Sequence, residues 1–339
     1  MELRCGKNLL AALGRDELVE PVESVASRPG KAAVPGALAA SLRAAHDAPG
    51  LSRENLAALA EKTSGAKTIL ALGDGPALAA GRWAAAQNHA HLILVPFPIA
   101  DERAVSGRVV YEEGGIEKAV GEKSADLLLV DYSLIWGPDE HLTRAAAGEL
   151  LAVSVAVQDL RIGEPESFSE DRAQAVLELV DELFDWADDI YDLTEPGIKK
   201  LVDLLVKRED LAAALGSRRW IEGSEKIFCA AAARILGRDF PPGPLKCLAV
   251  ILLTEFQGLN SRPIKQFLHW LQVPYQPEKV GLNDQEISRV LAALPDFAKE
   301  HDFPRTSLDA LEMSDRLIER AVRGLRDPLI KNSFQKRSD

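Results

Sequence analysis

The chain has 339 residues, enough for two separate cores, since one hydrophobic core stops growing at roughly 250–300 residues. A formal charge of −12 disfavours a nucleic-acid partner, because that affinity comes from Lys and Arg displacing counterions from phosphates. The strongly apolar runs at 127–130 and 247–253 fall far short of the ~20 residues that cross a bilayer, so no membrane span is expected. The opening Met1-Glu2-Leu3-Arg4-Cys5-Gly6-Lys7 lacks the order of a basic region, an apolar segment and a small-residue cleavage site. Cys5, Cys229 and Cys247 are an odd number without a CxxC pair. Both features point to a cytoplasmic protein with reduced thiols.

Residues 1–60 carry little β pattern: Lys31-Ala32-Ala33-Val34-Pro35 reads as a short strand, and 52–61 as a helix capped by Ser52. From 60 to 160, short apolar runs alternate with longer Ala-rich helical runs, the pattern of strands joined by crossover helices. Thr68-Ile69-Leu70-Ala71-Leu72 reads as a buried strand, and Gly73-Asp74-Gly75 turns it into a helix over 76–86 with Pro76 in its first turn. Further strands are expected at 91–96 and 125–131, and 108–116 reads as a hairpin added to that sheet. Beyond residue 160 apolar residues recur at helical spacing over 175–186, 198–205, 225–236 and 245–256. The polar Arg161-Ile162-Gly163-Glu164-Pro165-Glu166-Ser167 is the expected junction, which places one domain at 1–160 and a helical one at 161–339.

Several segments taken together resemble sn-glycerol-1-phosphate dehydrogenases, within the iron-containing alcohol dehydrogenase and dehydroquinate synthase superfamily. The run from Leu70 through Gly73-Asp74-Gly75 to Arg82 looks like the family's strand, triple-glycine turn and helix; Val95-Pro96 and Ser106 fall where it has a VPT…DG…S segment. Ala147-Gly148-Glu149-Leu150-Leu151-Ala152 with Gln158-Asp159 is similar to its AGxGDLLAK…ADW helix, and Gly223-Ser224-Glu225, Lys246 and Arg305-Thr306-Ser307-Leu308 continue the match in order. The resemblance covers about 66–325. It implies a Rossmann-like α/β domain, a helical domain, a cleft between them, NAD(P) as hydride donor, and a divalent cation held by an acidic residue and two histidines.

The residues at those positions depart from the pattern. Glu149 stands at the acidic ligand position, but Lys226 takes the first histidine's place, and an ammonium has no lone pair for a cation. Pro242-Gly243-Pro244-Leu245-Lys246 stands where the second histidine's turn lies, so no metal is expected. Gly73 and Gly75 keep part of a phosphate-binding turn, while Asp74 brings a negative charge toward a pyrophosphate, which weakens the NAD(P) site. Glu102-Arg103 replaces an Asp-Gly pair implied to help position substrate and metal. The candidate catalytic set is Lys226, Glu149, Glu102 and Arg219, with Lys226 expected to pair with Glu149 as a metal-free electrostatic site and Arg219 suited to a phosphate. The candidate cofactor set is Gly73, Asp74, Gly75 and Ser106. Trp220 and Trp270 read as core residues, with exposed partner anchors as the other reading.

Three readings stay open: a diverged oxidoreductase or dehydroquinate synthase-like lyase acting on a small phosphorylated polyol or keto compound; a non-catalytic binder of such a ligand; and a silent subunit in a homo-oligomer or with an active homologue.

Overall fold

The computed structural model describes residues 1–14, 17–137 and 139–326. The chain forms two compact units, Met1–Thr143 and Arg144–Asp339. The sequence reading divides the chain at 160/161; in this division the helix Ala147–Gly163 belongs to the second unit. The last thirteen residues of the expected helical domain, 327–339, lie outside the described residues.

The first unit is built on strands β1 (Glu2–Gly6), β2 (Val22–Ala26), β3 (Leu42–Asp47), β4 (Thr68–Gly73), β5 (His91–Pro96) and β8 (Leu127–Asp131). They form one sheet in the order β1-β8-β5-β4-β2-β3, with every pairing parallel. β4 and β8 are buried along their whole length. A strand covered on both faces needs a continuous apolar run, and TILALG and LLLVD supply one.

The opening region holds three strands where the sequence suggested little β structure. β2 escapes notice because Glu23 and Ser24 interrupt its apolar run, although all five residues are buried. β3 lies at the sheet edge, where LRAAHD alternates half-buried and exposed positions. The segment expected as a strand at 31–35 instead falls largely in helix α1 (Arg28–Ala33), where the Ser27 side chain accepts from Gly30 N–H and Pro29 sits in the first turn. A capping hydroxyl followed by Pro starts a helix more strongly than Ala-Ala-Val favours a strand.

Helices α2 (Arg53–Lys62), capped by Ser52, and α3 (Gly75–Asn88) agree with the sequence reading. The expected hairpin forms as β6 (Arg108–Glu113) and β7 (Ile116–Glu122), turning at Gly114-Gly115 with φ of 61° and 82°. Two successive positive φ values are what a tight hairpin turn requires, and Gly supplies them without strain. Contrary to expectation it is a separate antiparallel ribbon rather than an extension of the main sheet.

The described residues of the second unit contain helices and turns without a strand. Its main helices are α4 (Ala147–Gly163), α5 (Glu170–Asp185), α6 (Glu195–Ala214), α7 (Ser224–Leu236), α8 (Pro242–Phe256), α9 (Arg262–Trp270), α10 (Asp284–Glu300) and α11 (Asp315–Arg326). α8 is apolar over most of its surface, Lys246 and Glu255 apart, because neighbours surround it: α4, α7 and α11 all pack against it. Gly148 lets α4 approach closely, since a Cβ there would stand 2.7 Å from Cys247 Sγ on α8. Trp220 is core, as expected, whereas Trp270 is 39% exposed with its ring against Tyr191. No helix among the described residues is long and apolar enough to cross a membrane.

Candidate functional site

The first unit places its candidate residues at the carboxyl end of β4. From β2 the chain passes to β3 at one edge, then returns to β4 and continues through β5 and β8 toward the other edge. The sheet therefore reverses its winding between β2 and β4, and ligands of open α/β sheets sit at the carboxyl ends of strands at such a reversal. Gly73, Asp74 and Gly75 lie there. Neither glycine has room for a side chain: Gly73 has φ of 118°, and a Cβ on it would stand 2.1 Å from Ser27 Oγ. A Cβ on Gly75 would stand 2.3 Å from Asp101 Oδ2. Asp74 caps α3, accepting from Ala77 N–H at 3.2 Å.

Two carboxylates thus attend the amino terminus of α3, the end whose dipole would otherwise favour an anion. Both carboxylates oppose an anion brought to this turn. Glu102 and Ser106 stand just beyond, with Ser106 N–H donating to the Glu102 carbonyl at 2.8 Å and Arg108 3.4 Å from the Glu102 carboxylate. Arg103 lies between Asp101 at 3.4 Å and Glu117 at 3.1 Å. These side chains tie the segment after β5 to the β6–β7 ribbon.

In the second unit, Glu149 lies in the first turn of α4 and is 3% exposed. Its Oε1 accepts from Lys246 Nζ on α8 at 2.5 Å, and its Oε2 is 3.6 Å from the Arg208 guanidinium on α6. Arg208, fully buried, also contacts Glu209 at 2.7 Å and donates to the Ile221 carbonyl at 2.9 Å. Arg218 links Glu209 and Glu222 at 2.6 Å each, and Lys226 Nζ is 3.2 Å from Glu222. The result is an alternating chain, Lys246–Glu149–Arg208–Glu209–Arg218–Glu222–Lys226, running across α8, α4, α6 and the start of α7. Each charge taken out of water faces an opposite charge, the condition under which buried ions are tolerated.

Lys246 and Arg208, neither of which the sequence reading gave a role, stand beside Glu149, and Lys226 is 3.2 Å from Glu222. Arg219 is elsewhere: its guanidinium pairs with Glu164 and donates to the Arg305 carbonyl.

Glu225, one residue before Lys226, is fully buried. Its Oε2 accepts from Gly223 N–H at 2.9 Å, and its Oε1 has no hydrogen-bond partner among the described residues. Burial pushes its pKa up to about 8; the Lys246 charge pulls against that, and the Asp159 and Glu222 charges add to it. Asp159, also buried, accepts from Ser224 N–H, Ser307 N–H, Ser307 Oγ and Gln257 Nε2. Burial raises its pKa too, but with four donors converging on it from separate segments it fastens α4, α7, α8 and the 306–310 turn together.

The cations beside Glu149 oppose a divalent ion there. They are an ammonium and a guanidinium, which offer no lone pair and would repel the ion by about 4 kcal/mol per pair of unit charges at 4 Å in an effective dielectric near 20. Among the described residues no group of three His, Cys, Asp or Glu side chains is placed to hold a metal.

The sequence did carry a signal for Arg208. Ile198, Leu201, Leu205, Arg208 and Ala212 recur at helical spacing and are all buried, so Arg208 sits on the apolar face of α6. Lying within Lys207-Arg208-Glu209-Asp210, it passes for part of a solvated charge run.

No protein-family model matches the chain. It is 25% identical over 231 residues, 67% of its length, to the glycerol-1-phosphate dehydrogenase (NAD(P)+) of Methanococcoides burtonii. It is 23% identical over 228 residues to the enzyme of the same name from Saccharolobus islandicus. These alignments span 65% and 64% of the relatives, so the chain matches a little under two thirds of their length. A probable glycerol dehydrogenase from Sinorhizobium meliloti superposes with a TM-score of 0.70 at 13% identity, covering 96% of both chains. An iron-containing alcohol dehydrogenase from Corynebacterium glutamicum superposes with a TM-score of 0.66 at 12% identity, covering 96% of this chain and 94% of that one. The chain is homologous to glycerol-1-phosphate dehydrogenases and has the fold of iron-containing alcohol dehydrogenases.

Proposed function

We propose that this chain is a diverged relative of the glycerol-1-phosphate dehydrogenases that binds a small phosphorylated polyol, or the corresponding keto compound, without a metal ion. The observation that carries this reading is the 2.5 Å contact between Lys246 and Glu149. The acidic position that the family resemblance implies for a metal ligand here has an ammonium as its partner. Lys246 is 16% exposed in its side chain against 3% for Glu149, so the cation is the more accessible of the two. An ammonium held by a buried carboxylate can donate a hydrogen bond to a substrate hydroxyl or carbonyl oxygen, and it puts one positive charge where a cation would polarise that oxygen. NAD(P) would supply hydride in the homologues so named; the Asp74 and Asp101 carboxylates at the Gly73–Gly75 turn oppose its pyrophosphate, and no hydride step is assigned here.

The test joins metal analysis with ligand binding. The purified chain is assayed for zinc, iron, nickel and manganese, then for thermal shift with glycerol 1-phosphate, glycerol 3-phosphate and dihydroxyacetone phosphate, since a ligand of the native state raises its apparent stability. The expected result is sub-stoichiometric metal and a rise in Tm with at least one phosphate, lost in Lys246→Met. Stoichiometric metal at Glu149, or no response to any of the three, overturns the reading; in the latter case the silent-subunit alternative stands.

A further inference from the structure

The negative charge of the chain is concentrated in one stretch of the second unit. Residues 164–195 hold twelve acidic side chains and one basic one, Arg172, which accounts for nearly all of the formal charge of −12. Part of it is neutralised nearby: Glu164 pairs with Arg219, Glu170 with Arg161, and Glu182 with Lys200 and Lys207. Glu178, Asp185, Asp188 and Asp192 are exposed and have no ion-pair partner among the described residues. Their spacing of seven, three and four sets them in one row along α5 and the short helix Ala187–Tyr191 that follows it. Like charges at such spacing repel, so the row gains from a surface of opposite charge.

At its end the row meets exposed aromatic surface. Tyr191 stands between Asp188 and Asp192, with its ring centre 6.0 Å from that of Trp270, which is 39% exposed. Gln272 Nε2 donates to Tyr191 Oη at 3.2 Å and holds the phenol in place. Carboxylates beside an exposed indole suit a guanidinium, which pairs with the one through its fork of N–H groups and stacks on the other.

The same unit carries the complementary surface. α11 buries Ile318, Ala321 and Leu325 and turns Arg316, Arg320 and Arg323 outward, at i, i+4 and i+7. Arg320 donates to the Glu255 and Phe256 carbonyls, whereas Arg316 and Arg323 have no ion-pair partner among the described residues. At the helical rise α11 is about 18 Å long and the acidic row about 21 Å, so the two match in length. Within one chain they rest on different neighbours, α5 on α4 and α6, and α11 on α8 and α10. We propose that the acidic row from Glu178 to Asp192, with Trp270 at its end, docks the arginine face of α11 of a second copy of this chain. Each copy carries both surfaces, so a two-fold pair makes the contact twice.

Sedimentation of the full chain at about 50 mM and about 500 mM sodium chloride tests this, since exposed charges are largely screened at the higher salt. The expected result is a dimer at low salt whose dissociation constant rises at least tenfold at high salt. Asp185→Lys/Asp188→Lys and Arg316→Glu/Arg323→Glu should each be monomeric alone at low salt, with the parent's Tm because all four positions are exposed. Their equimolar mixture should regain the dimer, since each reversed surface then faces its opposite, and regain also shows that both variants fold. Asp185→Asn/Asp188→Asn, which removes charge without reversing it, should weaken the parent dimer at least tenfold. A parent that is monomeric at low salt, an association that survives either reversal, or a neutralised variant that dimerises like the parent would overturn the proposal. So would a mixture of folded variants that stays monomeric. No ligand enters these measurements, so their outcome is independent of metal and phosphate binding at Lys246.

Discussion

Replacing Lys246 with Met removes the ammonium from Glu149 while nearly keeping side-chain length. The carboxylate left behind is 3% exposed, and the other cation shown beside it is Arg208 at 3.6 Å, which already serves Glu209 and the Ile221 carbonyl. Breaking a buried pair from one side typically costs about 3–5 kcal/mol, because the remaining charge is stranded. With Arg208 retained, the lower end of that range, about 3 kcal/mol, is expected for Lys246→Met. Glu149→Gln strands the opposite charge, but Lys246 reaches water more easily, so a smaller loss of about 2 kcal/mol follows. The double variant leaves neither charge stranded and should lose less than the sum of the two, with a coupling of about 2 kcal/mol. Guanidinium chloride unfolding at pH 7, followed by far-UV circular dichroism, reads all four proteins. A Lys246→Met loss below about 0.5 kcal/mol, or strict additivity in the double variant, would show that the pair is not the buried, mutually dependent unit described here.

Glu225 predicts a pH effect of definite sign. Its folded pKa is raised from 4.5 to about 8, so between those values the folded state holds a proton that the unfolded state has released, and stability falls as pH rises. The slope contributed is up to roughly 1.4 kcal/mol per pH unit. Glu225→Gln should flatten Tm against pH across 5 to 8 and be more stable than the parent at pH 8; parallel profiles would refute the assignment. Lys246→Met should push the Glu225 transition above 8, since the lysine charge holds it down. Gly75→Ala places a methyl 2.3 Å from Asp101 Oδ2 and should destabilise by about 1–3 kcal/mol, with part of the loss recovered in Gly75→Ala/Asp101→Ala. If the second change brings no recovery, the turn is not closed by Asp101.

Local pattern carried the regular parts of the fold. TILALG and LLLVD are apolar enough to be strands only where both faces are covered, and Ser52, Pro76 and Gly114-Gly115 mark a cap, a first turn and a hairpin by their own backbone chemistry. β2 and β3 were not legible, because Glu23, Ser24, Arg43 and His46 look polar until the cross-strand partners that neutralise them are known. The candidate site divides in the same way.

From sequence alone, Lys226 in place of a histidine and Asp74 between two glycines already argue against the family's metal and pyrophosphate, since an ammonium has no lone pair and a carboxylate repels phosphate. Which cation meets Glu149 is a different kind of fact. Lys246 and Arg208 lie 97 and 59 positions from it in the chain, and only the packing of α8 and α6 against α4 brings them within reach. Charge identity is a property of each residue, whereas the pairing of charges depends on distance in space, and that is fixed only when the helices pack.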